Sequence, residues 1–143
     1  MRKNLFALSI LFLSFGLFSS NVYAQAFIGK KTQGGIVFYV DDTEKHGLIV
    51  DTTDMPETGW NEALTACAGL ERNGYSDWRL PNVAEMEIMY KVRKRLTPFK
   101  NEYYWTSTEY DRESARIFNF QTGLTGTNVK IHGVYGYRAV RSF

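Results

Sequence analysis

Cysteine and histidine are scarce in this chain of 143 residues, which has one cysteine, Cys67, and two histidines, His46 and His132. A single cysteine cannot form a disulfide within the chain, so packing must supply the stability. Two histidines are too few for a typical zinc site, and no Ser or Cys nucleophile motif accompanies them. We therefore expect no metal, no cofactor and no catalytic residue, which means that the protein is not an enzyme.

The chain also lacks an apolar run of membrane-spanning length. The run from Leu5 to Phe18 is shorter than the roughly 20 residues that cross a bilayer. It follows two basic residues and precedes Val22-Tyr23-Ala24, which is the order of regions in a secretory signal peptide. We predict a signal peptide at residues 1–24, a domain at residues 27–143, and a secreted or periplasmic protein without a lipid-bearing cysteine or a transmembrane anchor after processing. An uncleaved membrane anchor is the alternative.

An excess of charge of one sign is absent as well. Removal of Arg2 and Lys3 with the signal peptide leaves 15 basic and 15 acidic residues. A nucleic-acid-binding protein normally has a basic excess, because its cations displace the counterions of the phosphates. The basic cluster at residues 91–95 lies on a predicted helix and is interpreted as a solvated face. We expect no nucleic-acid partner.

The remaining sequence predicts strands and helices in separate blocks. Strands at Ile36–Asp41 and Leu48–Asp51 form a hairpin around a polar, glycine-ended turn. A helix follows with Trp60, Ala63, Leu64, Cys67 and Leu70 on one face, and it is predicted to end at Asn73-Gly74. A second helix begins at Asn82, with Glu85 three residues later as in a capping box, and is predicted to end at Pro98.

The C-terminal half predicts an antiparallel meander. Strands are expected at Tyr103–Thr108 and Ala115–Phe120, then a loop at Gly123–Gly136, then a last strand at Tyr137–Phe143. This segregation of strands and helices predicts an α+β fold. The first and last strands could pair with each other.

Five sequence segments in this order resemble a known family. They are Gly34–Val40, Trp60–Cys67, Gly74–Glu85, Tyr104–Glu109 and Arg138–Arg141. The series resembles the Lcl C-terminal domain family, a family of unknown function named for a bacterial collagen-like adhesin, over nearly the whole mature chain. The resemblance implies a C-type-lectin-like fold, related to that of formylglycine-generating enzymes.

Structural roles are the main interpretation of the motif residues. Trp60, Cys67, Trp78 and Trp105 are expected in the core, since large side chains dominate burial in small domains. Asp77 is expected to bond loop amides or to pair with Arg79 or Arg138, while Pro81 and Asn82 lead into the second helix.

Two activities of the related folds lack their residues here. Formylglycine-generating enzymes use a pair of copper-binding cysteines, whereas this chain has Cys67 alone. Many C-type lectins bind calcium through Glu-Pro-Asn-like and Trp-Asn-Asp-like segments. The corresponding segments here are Leu80-Pro81-Asn82 and Tyr104-Trp105-Thr106, which lack those acids, and the acidic turn Asp41–Glu44 has no EF-hand pattern. Calcium is therefore not expected.

Binding is the function that remains. Tyr110 and Arg112 lie in a polar turn, and His132 lies in the glycine-bearing loop. Loops on a rigid scaffold commonly carry recognition, so these three residues are the predicted ligand contacts. The adhesin relative implies a polysaccharide or envelope glycan as ligand. A protein-interaction module of a cell-envelope assembly is the alternative, and the sequence leaves both open, as it does the oligomeric state.

Overall fold

The computed structural model describes residues 27–143. The predicted signal peptide lies outside the described residues. Within the described part, no helix is both long enough and apolar enough to cross a membrane.

The described chain is a mixed α+β domain with two sheets and two α-helices, which confirms the predicted class. In chain order the elements are β1 Lys31–Thr32, β2 Gly35–Val40, β3 Gly47–Val50, β4 Met55–Thr58, α1 Trp60–Ala68, α2 Val83–Val92, a 3₁₀ turn Arg93–Arg95, β5 Tyr103–Glu109, β6 Ser114–Asn119, β7 Thr125–Val129, β8 Tyr135–Tyr137 and β9 Val140–Ser142.

The first sheet has the strand order β1-β2-β3-β9, and all of its pairs are antiparallel. The predicted hairpin is confirmed as β2 and β3, with Val37 opposite Ile49. The last strand, β9, pairs with β3, where Val50 lies opposite Val140. The expected pairing of the first and last strands is therefore wrong, because β9 pairs with β3, the second strand of the hairpin, and not with β1 or β2.

The second sheet has the order β4-β8-β5-β6-β7 and corrects the C-terminal prediction. Strands β5, β6 and β7 form a meander, but β8 then pairs parallel with β5 at Tyr104 and Gly136. The predicted loop Gly123–Gly136 contains β7 and the start of β8, and the predicted last strand Tyr137–Phe143 is divided between the two sheets. β7 was missed because its sequence, Thr-Gly-Thr-Asn-Val, is polar, as suits an edge strand that packs little apolar surface.

The first helix buries three of the five residues predicted on its face and ends early, so that Leu64 is half-buried and Leu70 lies beyond the helix. Trp60, Ala63 and Cys67 are buried, and the helix ends at Ala68 with Gly69 as C-cap. Asn73 and Gly74 form a separate turn, with φ angles of 54° and 82°. The predicted stop was therefore too late, because Gly69 already fails to continue the helix.

The second helix has the predicted capping box. The side-chain oxygen of Asn82 accepts from the amide of Glu85 at 2.9 Å, and the Glu85 carboxylate accepts from the amide of Asn82 at 2.9 Å. The α-helix ends at Val92 and continues as a 3₁₀ turn, so Pro98 lies beyond it rather than at its end. The basic cluster at residues 91–95 is exposed except for Val92, as a solvated face should be.

Two hydrophobic clusters form the core. One contains all three tryptophans, Trp60, Trp78 and Trp105, together with Cys67. The other joins α2, through Met86 and Met89, to the sheets. Each indole N–H donates to a backbone carbonyl: Trp60 to Thr106 at 2.8 Å, Trp78 to Tyr75 at 3.1 Å and Trp105 to Thr58 at 2.8 Å. The expected burial of these residues is confirmed, and the hydrogen bonds of Trp60 and Trp105 join segments more than 40 residues apart.

Candidate functional site

The charged residues of the sequence motif are used in internal ion pairs. Asp77 accepts from Arg141 at 2.7 and 3.1 Å, which corrects the expected pairing with Arg79 or Arg138. This hydrogen bond holds the pKa of the Asp77 carboxyl below its usual value. Arg79 instead donates to Glu85 at 2.8 and 2.5 Å. The prediction for Asp77 was wrong because the pairing of strands, and not the distance along the sequence, decides which arginine Asp77 meets.

Arg138 is a buried organising residue. Its side chain is 2% exposed and donates to Asp54 at 2.6 Å, to Thr97 at 3.0 Å and to the Pro98 carbonyl at 2.9 Å. Asp54 in turn accepts from the Tyr104 hydroxyl at 2.7 Å. The network joins four segments of the chain.

Pro81 is another residue of the sequence motif. It is buried, and its carbonyl accepts a hydrogen bond from the amide of Ser107 in β5 at 2.8 Å. Arg79 and Val140 exchange two backbone hydrogen bonds of 2.8 Å each. The segment before α2 is therefore fixed between the two sheets, which is a structural role for this motif.

Cys67 is fully buried in the core. Burial, and to a lesser degree the negative charge of Asp51, raises the pKa of its thiol to about 12. A thiol in this state is a poor nucleophile and a poor metal ligand. Residues 27–143 contain no group of three or more His, Cys, Asp or Glu side chains that could hold a metal ion.

The three predicted ligand contacts are exposed but only partly grouped. Arg112 lines a cleft of about 340 Å³ beside Trp60 and Ile131, next to His132 in the chain. Tyr110 is 58% exposed, and its ring is covered by the Arg116 guanidinium at 4.3 Å. The structure therefore brings the turn of Arg112 to the turn of His132, while Tyr110 packs on the neighbouring strand.

Lys130 closes the floor of this cleft. Its ammonium lies 4.5 Å from the centroid of the Trp60 ring, pairs with Glu109 and donates to the carbonyls of Asp111 and Arg112 at 3.1 Å. The Trp60 ring is itself buried, and Lys130 lies over it, so the ring offers no exposed face on which a sugar could stack. The Trp60 cleft is better suited to side-chain contacts than to stacking.

A second cleft, of about 390 Å³, lies at the opposite end of β5, where that strand begins. We call it the tyrosine cleft. Tyr103 and Tyr135 lie in it with their ring centroids 6.0 Å apart and their planes at 60°. Its complete lining is Glu57, Asn101, Glu102, Tyr103, Asn119, Gln121, Val134, Tyr135 and Gly136.

Sheet pairing assembles the tyrosine cleft from distant segments. Tyr103 lies opposite Asn119, and Thr58 lies opposite Tyr135. The connection from β7 to β8 passes close to Trp105 at Gly133. A Cβ at this position would lie 2.6 Å from the Trp105 ring, so the connection depends on glycine there. Sequence reasoning missed this site because its residues belong to four segments with no common motif.

The tyrosine cleft is rigid. The Tyr135 ring packs edge-to-face on the buried Trp105 at 5.0 Å, and its hydroxyl is hydrogen-bonded to Asn128. The side-chain oxygen of Asn119 accepts from the amides of Gln121 and Thr122 at 2.8 and 3.0 Å. Binding to such a preformed surface costs little ordering entropy.

The lining of the tyrosine cleft combines aromatic, amide and carboxylate groups. It offers tyrosine rings, three side-chain amides and two carboxylates, and it contains no Cys, His, Ser, Thr, Lys or Arg. Glu57 and Glu102 are both exposed to solvent.

Comparison with known proteins agrees with the sequence motifs. A search of curated proteins finds no match. The family described as "Lcl C-terminal domain" matches residues 30–141, a range that contains all the strands and helices of the described structure except the last residue of β9. Because this match extends over most of the sequence, the chain belongs to the Lcl C-terminal domain family.

Proposed function

We propose that this protein is an exported, non-catalytic binding domain that recognises a polysaccharide or envelope glycan through the tyrosine cleft. The observation that carries the proposal is the pairing of two tyrosine rings with three side-chain amides in one open, rigid cleft. Sugar rings present C–H faces that pack on aromatic rings, and their hydroxyls bond amides and carboxylates; such sites combine apolar and polar groups in this way. The implied relation to C-type lectins is in keeping with the proposal, although a fold alone does not assign a function.

Export remains part of the proposal. It rests on the order of basic, apolar and small residues before Ala24. Mass spectrometry of the protein from its own cells should find an N-terminus at Gln25 or Phe27, and an intact Met1 would contradict export by cleavage.

Binding should be measured on immobilised polysaccharides, because isolated sugar sites often have affinities near 1 mM, about −4 kcal/mol. Dense display lets several weak contacts act together. We expect Tyr103→Ala to weaken binding about fivefold to tenfold, which corresponds to the energy of one aromatic contact. Tyr39→Ala is the matched control, since Tyr39 is 40% exposed against 42% for Tyr103 but lies on the first sheet.

The loop residues provide the competing site on the same plates. If Tyr110→Ala, Arg112→Ala and His132→Ala weaken binding while Tyr103→Ala does not, the glycan binds at the predicted loop surface instead. If neither the loop variants nor Tyr103→Ala weaken glycan binding, the ligand binds outside both surfaces, which would contradict the proposed site.

A protein-interaction module is the second candidate, and one observation favours it. Four aliphatic side chains are exposed on and beside the edge strand β7: Leu124 at 68%, Val129 at 38%, Ile131 at 77% and Val134 at 57%. Exposed apolar groups of this kind are common at interfaces. If the protein binds no polysaccharide and captures one envelope protein, and Ile131→Ser abolishes that capture, this second function replaces the first. Formylglycine-generating activity has no comparable support, because Cys67 is buried and alone.

A further inference from the structure

The charged groups of the tyrosine cleft are all acidic. Glu57 comes from β4 and Glu102 from the segment before β5, and the lining contains no Lys, Arg or His. The cation beside Glu102 is Lys100, at 3.9 Å, and the two side chains are 60% and 54% exposed. Solvent screens such an exposed pair strongly. The cleft therefore presents negative charge to a ligand.

Asn119 adds a donor at the wall of the cleft. This residue is 8% exposed, and its side-chain oxygen is occupied by two backbone amides. Its NH₂ group has no hydrogen-bond partner among residues 27–143. The group is not a buried donor, because the buried side-chain atom without a partner among these residues is Asp51 Oδ1. It faces the solvent of the cleft and can donate there to an acceptor such as a sugar hydroxyl.

The two tyrosine rings favour a cation beside that hydroxyl. Aromatic faces attract ammonium groups, and the attraction increases when carboxylates lie nearby. A ligand that combines hydroxyls, a flat C–H face and an ammonium uses every group of the cleft at once. Hexosamine units with a free amino group have this combination.

We propose that the tyrosine cleft selects glycans whose sugars carry free, protonated amino groups over uncharged and anionic glycans. The inference rests on the proposed function, since it assigns the ligand class of the same site. Glu57 and Glu102 are its specificity residues, while the tyrosines and Asn119 bind the sugar ring and its hydroxyls.

A neighbouring groove offers the opposite charge. Arg93, Lys94 and Asn101 line it, so Asn101 separates it from the tyrosine cleft. Arg93 is already engaged, because it stacks on Tyr90 at 3.8 Å and donates to the Tyr90 carbonyl at 2.6 Å. A preference for anionic glycans would therefore depend on this groove, mainly on Lys94, and not on the tyrosines.

Three β1,4-linked tetrasaccharides that differ only at the second carbon provide the test. They carry a free amine (glucosamine), an acetamide (N-acetylglucosamine) or a hydroxyl (glucose). Calorimetric titration of the exported protein at about pH 6, below the ordinary pKa of an amine, should give about tenfold tighter binding of the amine form. The preference should fall markedly at about 0.5 M salt, where the Debye length is only a few ångströms.

Variants that remove the charge of Glu57 or Glu102 test whether these two carboxylates cause the preference for the amine. Glu57→Gln and Glu102→Gln should each reduce the preference for the amine about threefold, as expected for exposed ion pairs, and the double variant should bind the three sugars equally. Glu87→Gln removes the same charge from an exposed position on α2 and should leave the preference unchanged.

The outcomes separate this inference from the proposed function. Equal binding of all three tetrasaccharides, or tighter binding of polygalacturonate that Lys94→Gln abolishes, would overturn the amine selectivity and leave glycan binding intact. Binding of none of them, in solution or immobilised, would overturn both. A tetralysine peptide that binds as tightly as the amine sugar and competes with it would show a basic peptide ligand and would overturn the sugar class.

Discussion

Two regions of this domain use polar side chains in opposite ways. The arginines of the sequence motif, Arg79, Arg138 and Arg141, are bound to carboxylates of the same chain. The polar groups of the tyrosine cleft include two exposed carboxylates and the NH₂ group of Asn119, which donates no hydrogen bond within residues 27–143. The first set holds segments together, whereas the second set remains available to a ligand.

The recognisable motif therefore marks the framework of the fold, and the proposed binding surface, the tyrosine cleft, lies outside it. The motif residues Trp60, Trp78 and Trp105 are buried, and their N–H groups are used within the core. The cleft residues belong to no motif. Substitutions in the framework should therefore change stability, and substitutions in the cleft should change binding.

Arg138→Ala should have the largest effect on stability. It leaves the Asp54 carboxylate without its ion-pair partner and removes bonds to Thr97 and Pro98. Breaking a buried pair in this way costs about 3–5 kcal/mol, measured by urea unfolding followed by tryptophan fluorescence. The exposed Arg112→Ala should stay within about 0.5 kcal/mol of the native protein. Equal unfolding midpoints for the two variants would contradict the framework role of Arg138.

Cys67→Ala should cost on the order of 1 kcal/mol through lost packing and should leave ligand binding unchanged. Because burial raises the pKa of the Cys67 thiol to about 12, little thiolate is present at neutral pH. A thiol reagent should therefore label the native protein slowly and the urea-unfolded protein fast. Rapid labelling of the native state would show that Cys67 is accessible.

Asp77→Asn should have a smaller effect that depends on pH. The Arg141 hydrogen bond lowers the folded-state pKa of Asp77 below its ordinary value, so the ion pair stabilises the fold above that ordinary pKa. The stabilisation is lost as the pH falls through the folded-state pKa. The variant should be less stable at pH 7 by about 0.2–1 kcal/mol, the range of exposed pairs, and closer to the native protein at about pH 2. Asp42→Asn, in the exposed β2–β3 turn, serves as the control, and the same pH-dependent difference there would remove the assignment to Asp77.

Tyr103→Ala should have the smallest effect on stability. The side chain is 42% exposed at the start of β5, and such surface substitutions usually stay within about 0.5 kcal/mol. When unfolding and glycan binding are measured on the same preparation of the variant, its stability should be unchanged and its glycan binding reduced. A large loss of stability would place Tyr103 in the framework and break the distinction between the two regions.

Local patterns predicted the elements that depend on near neighbours. The capping box needs only Asn82 and Glu85, three residues apart, and the face of α1 needs only the helical spacing of Trp60, Ala63 and Cys67. The β2–β3 hairpin follows from apolar strands around a short turn. These features formed as predicted because their hydrogen bonds and burial are set within a few residues of the chain.

The α+β class, the hairpin, the first residues of both helices and the family follow from sequence patterns alone. The pairing of Asp77 with Arg141, the pairing of Asp54 with Arg138 and the contact of Tyr103 with Tyr135 arise from the tertiary structure. Each of these contacts joins segments more than thirty residues apart, at |i−j| of 64 for Asp77 and 84 for Asp54. No local periodicity specifies such partners, because the crossing of β8 back to β5 and of β9 to β3 selects them.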